Sequence, residues 1–304
     1  MHAGVKKIMA ILALASAAYL WGGYSFGHQI WPMPQLRALK KHFFPAEEPT
    51  PSLQQQAERL RRLSDWPGKS DVGCPPQHET TAVLLIIGQS NAANASGQRY
   101  RSQHGPALIN FFQGRCVIAG SPLLGSSGNE GESWTLLGDK LIASGRYQQV
   151  VLIPAAVGAS EVARWAPGGD INALLSNELD IVHRHYRITH VLWHQGEADY
   201  LQGTSGADYR RAFKGLLETL RHKGVDAPVF VSVATKCGLA RDWQPGNPVA
   251  TAQRSLWDSA TGVFPGVDTD SLLTETDRYD DCHFAGSGQE KFADAWLDAI
   301  HSLP

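Results

Sequence analysis

Beyond residue 74 the chain alternates short apolar runs with segments of helix length. Residues 82–88, 115–119, 149–155, 190–194 and 229–234 are almost continuously apolar, the pattern of strands covered on both faces. Between and after them, residues 133–144, 171–186, 207–223, 248–260 and 287–301 mix apolar and polar positions as helices with one buried side do. Strands alternating with helices make βαβ units, whose crossover helices cover both faces of a parallel sheet. The pattern predicts one α/β domain over residues 75–304. Its architecture is a three-layer α/β/α sandwich around a parallel, doubly wound, flavodoxin-like sheet of five strands. In such a sheet the ligand site lies at the carboxyl ends of the strands.

The N-terminal part reads differently. Residues 8–26 carry no charge and follow Lys6 and Lys7, which marks an export signal. An apolar run of this length is close to the ~20 residues that span hydrocarbon. A cleaved signal peptide would use Ala15-Ser16-Ala17 as its small-x-small site. That cut leaves a short apolar region and strands Tyr19, Leu20, Trp21, Tyr24 and Phe26 beyond it, so residues 1–27 are read as an anchor. Lys6 and Lys7 then stay on the cytoplasmic side, and the remainder is exported and tethered to the membrane. Residues 28–74, with a basic cluster at Arg37, Lys40 and Lys41 and a proline-rich tract from Pro45 to Pro51, read as a stalk.

Export puts Cys74, Cys116, Cys237 and Cys282 in an oxidising compartment. Four cysteines allow three pairings. Position favours Cys74 with Cys116, around the first two strands, and Cys237 with Cys282, near late loops. No cysteine or histidine spacing fits a zinc site. The 27 Lys and Arg nearly cancel the 29 Asp and Glu, so no basic surplus exists to neutralise a nucleic-acid backbone.

Chemistry concentrates after three of the strands: Gly88-Gln89-Ser90-Asn91, Val157-Gly158-Ala159-Ser160 and His194-Gln195-Gly196-Glu197-Ala198-Asp199. A serine at a strand-to-helix junction exposes its Oγ and sets its N–H at the positive end of the helix that follows. Ser90 needs a base, and the late run Asp280-Asp281-Cys282-His283 offers one. A carboxylate three residues before a histidine can take its Nδ1–H and turn Nε2 toward the nucleophile. That offset favours Asp280 over its neighbour Asp281. Donors for a developing oxyanion are the Ser90 N–H, the Gly158 N–H and the Gln195 side-chain amide. Trp134, Arg164 and Trp165 are candidates for substrate binding, although each reads equally well as a packed aromatic or a solvated arginine.

With these motifs the chain resembles the SGNH hydrolases over residues 80–303, and within them the carbohydrate esterases related to sialic-acid-specific acetylesterases. The resemblance carries the nucleophile onto Ser90 in GQSN, the second-block glycine onto Gly158, the oxyanion amide onto Gln195 in QGE, and the DxxH pair onto Asp280 and His283. It also marks residues 122–134 as a loop over the site. It implies a serine esterase that removes acetyl groups from a carbohydrate, with no metal or organic cofactor. Two other readings stand beside it: an esterase or lipase for lipid-like acyl esters, and a catalytically silent envelope protein that binds carbohydrate.

Overall fold

A computed structural model describes residues 16–19, 21, 61–238 and 243–303. The chain divides into two units, Met1–Gln56 and Ala57–Pro304. In the first, residues 16–19 and 21 are helical and exposed; the rest of the expected anchor, and the stalk up to residue 60, lie outside the described residues. Among the described residues no helix is long and apolar enough to cross a membrane.

Among the described residues the second unit is built on eight strands: β1 (Asp71–Val72), β2 (Thr81–Gly88), β3 (Leu108–Phe112), β4 (Arg115–Ile118), β5 (Gln149–Pro154), β6 (His190–His194), β7 (Val229–Val233) and β8 (Val263–Asp268). They form one sheet in the order β1-β4-β3-β5-β2-β6-β7-β8. Strands β3, β5, β2, β6, β7 and β8 run parallel. Counted in chain order these six lie as 2-3-1-4-5-6, a doubly wound order with its switch point beside β2.

The sheet differs from the expected five strands at its edges. The run at 115–119 is β4, which pairs antiparallel with β3. Gln113 and Gly114 join the two, both at positive φ (51° and 82°), as a two-residue hairpin requires. Strands β3 and β8, neither of them expected, bring the parallel strands to six, and β8 closes one edge. Its Val-Phe-Pro-Gly-Val-Asp sequence hides it, because Pro and Gly read as turn residues and are tolerated mainly at a sheet edge.

Side-chain alternation along β2 explains the three layers. Val83, Leu85 and Ile87 enter one apolar cluster with Leu175, Leu179, Phe213 and Leu216. Ala82, Leu84 and Ile86 enter the other with Leu137, Leu141, Phe292 and Trp296. The first set of partners comes from helices α2 (Asp170–Val182) and α4 (Gly206–His222); the second comes from α1 (Trp134–Ala143) and α6 (Gly286–His301). Between them in sequence lie the short α3 (Glu197–Gln202) and α5 (Pro248–Ser255). A strand with period two and apolar residues at every position can be buried only between two such layers.

The expected boundary at residue 75 falls inside this unit. Leu63 and Trp66 pack against Phe112, Val117 and Leu124, Arg62 pairs with the buried Glu178 at 3.5 Å, and β1 adds to β4. Residues 61–74 are therefore part of the domain surface and not stalk. Their polar composition concealed a few apolar anchors. Both expected disulfides are present, Cys74–Cys116 and Cys237–Cys282.

Candidate active site

The carboxyl end of β2 sits at the middle of the sheet. Gly88 turns the chain there at φ 138°, and a Cβ on it would stand 2.0 Å from the His194 carbonyl oxygen. Only glycine lets the end of β2 lie this close to the end of β6. Ser90 follows, half-buried. What comes after Ser90 is a single 3-10 turn, Ser90–Ala92, not the helix expected there. Three residues align too few peptide dipoles for the positive end that the sequence pattern suggested.

Side chains of the same turn tie three chain segments together. The Gln89 side-chain oxygen accepts from the Ala198 N–H at 3.0 Å and the Gly196 N–H at 3.3 Å. Asn91, fully buried, donates to Glu197 at 2.9 Å and to the Cys282 carbonyl at 3.3 Å. Burial works against ionisation of Glu197, but His194 and Asn91 outweigh it and hold the carboxyl below the usual range. Neither Gln89 nor Asn91 was among the candidates, since polar residues inside a motif say nothing about which segment they will meet.

The late loop carries the histidine. Asp280 accepts from the His283 Nδ1 at 2.7 Å with one oxygen, and with the other from the His283 N–H at 2.7 Å and the Cys282 N–H at 3.2 Å. Burial raises the Asp280 pKa, but these hydrogen bonds and the charge of His283 more than compensate, leaving it below the ordinary carboxylate value. Asp281 turns away in the left-handed region at φ 63°, and its carbonyl takes the Gly238 N–H. The geometry thus distinguishes the two acids. Cys282, between them and His283, is bonded to Cys237 in the loop after β7, and its carbonyl also receives Arg278 Nη1.

Ser90 and His283 flank the Asn91–Cys282 contact. No hydrogen bond joins Ser90 Oγ to His283; contacts between nucleophile and base commonly tighten only in the Michaelis complex. Gly158 is close to Ser90: a Cβ on it would lie 3.9 Å from the Ser90 Cβ and 3.3 Å from Ser127 Oγ. The Gly158 N–H donates to that Ser127 hydroxyl at 2.7 Å. Ser127, half-buried, belongs to the 122–134 loop, which Asn94 holds through the backbone of Leu123 at 2.7 and 2.9 Å. Tyr279 completes the rim. Its ring lies 6.0 Å from the imidazole of His283 at 28°, its hydroxyl donates to the Ala95 carbonyl at 3.1 Å, and 52% of it is exposed.

Three expectations need correction. Gln195 has no exposed surface, and its amide nitrogen faces Ser160 O at 2.9 Å, Gln89 Oε1 at 3.3 Å and the Asp199 carboxylate. Two N–H bonds already have three acceptors, so this amide holds strand ends together and has no donor to spare for an oxyanion. Trp134 and Trp165 are core residues, 1% and 0% exposed. Their indole nitrogens donate to Ala92 O and Ser160 Oγ, and neither ring offers a face to a sugar. Arg164 is held by Asp170 in a two-point pair at 3.0 and 2.8 Å.

Strand order, a serine beside the switch point and an Asp–His pair on the last loop define an α/β hydrolase of the SGNH type. The family model for "Carbohydrate esterase, sialic acid-specific acetylesterase" matches residues 80–302, and the chain belongs to that family. It is a carboxylic ester hydrolase. Solved structures share the fold at low identity. A protein from Arabidopsis thaliana, 18% identical, aligns over 75% of this chain and 99% of its own with a TM-score of 0.59. A putative GDSL-like lipase from Parabacteroides merdae, 13% identical, aligns over 75% and 99% with a TM-score of 0.51. No curated protein matches the chain in sequence.

Proposed function

We propose that this protein is a serine esterase that releases acetyl groups from a carbohydrate through an acyl-enzyme intermediate. The observation that carries the reading is the Asp280 carboxylate on His283 Nδ1 at 2.7 Å, in a loop bonded to the turn that holds Ser90. With Nδ1–H engaged, the free base is Nε2. Ser90 Oγ attacks the ester carbonyl as its proton passes to Nε2, and the carbonyl electron pair becomes the oxyanion. Collapse breaks the acyl–oxygen bond, and the imidazolium returns the proton to the sugar oxygen. Water, deprotonated by the same imidazole, then releases acetate and restores Ser90.

Oxyanion donors in this reading are the Ser90 N–H and the Ser127 hydroxyl, because the Gly158 N–H expected in that role already donates to Ser127 Oγ. Ser127 Oγ accepts the Gly158 N–H through a lone pair, which leaves its own proton for a substrate oxygen. It takes the place expected for Gln195. The exposed ring of Tyr279 gives an apolar face beside His283 for a sugar ring.

Two disulfides support an exported, oxidising location. We propose further that residues 8–26 anchor the chain on that side of a membrane.

The test is hydrolysis of 4-nitrophenyl acetate, butyrate and octanoate, and acetate release from acetylated xylan, by wild type and Ser90→Ala. The expected result is preference for acetyl esters and a loss of about a thousandfold or more in kcat in the variant. Equal rates for wild type and variant would overturn the mechanism. Preference for octanoate would favour lipid-like esters instead.

A further inference from the structure

Behind Ser90 and His283 lie two buried charges that the hydrolysis itself does not use. Glu197 opens α3 and is 2% exposed, and Arg278 follows the 3-10 turn Glu275–Asp277 and is 6% exposed. Both bear on one backbone carbonyl, that of Cys282. Arg278 Nη1 donates to it directly. Asn91 donates to it at 3.3 Å and to Glu197 Oε1 at 2.9 Å. The result is a chain from carboxylate through amide and carbonyl to guanidinium, which crosses α3, the nucleophile turn and the histidine loop.

Neither charge is fully matched. Arg278 has the carbonyls of Cys282 and Thr269 and the ring of Phe284, 5.4 Å away. Its Nε and the Glu197 Oε2 take no hydrogen bond among the described residues. His194 Nε2 stands 3.6 Å from Glu197 Oε1, beyond hydrogen-bond reach. Burial lowers the Arg278 pKa, and the charge of Glu197 is foremost among those opposing it. Apolar residues of similar volume are often at least as stable as such buried charges, and the rings of Phe284 and Phe292 already line the space around His194. Stability alone does not account for the pair.

What the chain holds is the peptide link into His283. Its oxygen is the Cys282 carbonyl, and its N–H, that of His283, donates to Asp280 at 2.7 Å. With both ends of that link held, the imidazole leaves the backbone in one direction. Asn91 directly follows Ser90, so the same contact sets the nucleophile turn against the histidine loop.

We propose that Glu197 and Arg278 are positioning residues for the ester hydrolysis, which fix the Cys282–His283 peptide link and, through Asn91, the Ser90 turn in one register. The inference rests on the serine-esterase reading above. Misplacing reacting groups by about 1 Å can cost about a hundredfold in rate, which sets the scale of the effect.

The test is a double-mutant cycle between Asn91→Ala and Glu197→Gln. It is read as kcat and KM on 4-nitrophenyl acetate, and as the rate at which diisopropyl fluorophosphate labels Ser90, located by mass spectrometry. Glutamine keeps an oxygen for the Asn91 amide and removes the charge. Glu197→Gln is expected to lower kcat about tenfold and Asn91→Ala about a hundredfold, each with KM within about twofold and labelling slowed in proportion. The double variant should match Asn91→Ala within about twofold, because the carboxylate reaches the histidine loop through that amide. Arg278→Lys, which keeps a charge and a donor, should retain at least about threefold more kcat than Arg278→Met. Glu197→Asp, which draws the carboxylate back from Asn91, repeats the kcat measurement if the Gln variant is unfolded at 25 °C. Unchanged kcat in folded variants, losses confined to KM, equal losses in the two Arg278 variants, or losses that multiply to about a thousandfold in the double variant would overturn the proposal. A wild type that neither hydrolyses the ester nor takes the label on Ser90 would overturn the serine-esterase reading, and this inference with it.

Discussion

The two disulfides close loops of almost equal length, with separations of 42 and 45 residues, but only one touches the candidate triad. In the chain-entropy treatment each closure is worth about 4 kcal/mol at 25 °C, and the two differ by less than about 0.1 kcal/mol. Replacing Cys74 and Cys116 by Ala, or Cys237 and Cys282 by Ala, should therefore lower Tm by a similar amount, about 8–16 °C for a domain of this size. The effect on catalysis should separate them. Cys282 lies between Asp280 and His283, and its bond to Cys237 fixes that loop against the one after β7. Its carbonyl keeps Asn91 and Arg278, and its N–H keeps Asp280, so the loop loosens without being lost. A misplacement worth about 1.4 kcal/mol in the transition state is expected, which is tenfold in kcat. The assay is kcat on 4-nitrophenyl acetate at 25 °C, where both variants remain folded by circular dichroism. Unchanged kcat in the Cys237/Cys282 variant, or equal losses in both, would refute the idea that this disulfide positions the histidine.

Asp280→Asn should lower kcat/KM by about 10²–10³, less than in fully buried triads because the pair is partly solvated, whereas Asp281→Asn should stay near wild type, since asparagine tolerates its left-handed φ; reversal of that order in a side-by-side assay would assign the acid to Asp281. Ser127→Ala should cost about a hundredfold in kcat with little change in KM, as removal of an oxyanion donor does, and a purely KM effect would count against it. His190, buried at the start of β6 and stacked on Phe230 at 6.2 Å, is pushed down to about 4 by burial and, secondarily, by Arg146. The unfolded chain takes up its proton near 6.5 and the folded chain near 4, so this residue removes stability as pH falls between those values, by about 3 kcal/mol in total. Urea denaturation of His190→Phe from pH 7 to 4 should show a shallower loss than wild type, and an identical slope would exclude His190 as the source.

The succession of residue types determined a great deal by itself. Continuous apolar runs of strand length need cover on both faces, so the layered α/β fold was legible, as were four of its six parallel strands and, among the described residues, the five helices of eight or more residues. Reactive residues placed after those runs were legible as a site, because doubly wound sheets bring such ends together. Tertiary structure decided the rest. Polar side chains have no periodicity that tells a donor facing the cleft from one clamped inside, so only the packed strand ends could show that Gln195 is saturated by Ser160, Gln89 and Asp199 and that Ser127 stands at Gly158. A tryptophan reads alike in a core or on a cleft wall. Trp134 and Trp165 went to the core because helix α1 and the turn at 162–165 face the sheet, and the exposed ring beside the histidine is that of Tyr279. Strand β8 and the docked segment 61–74 escaped notice for a related reason: edge elements bury few residues, and what they bury is set by neighbours distant in sequence.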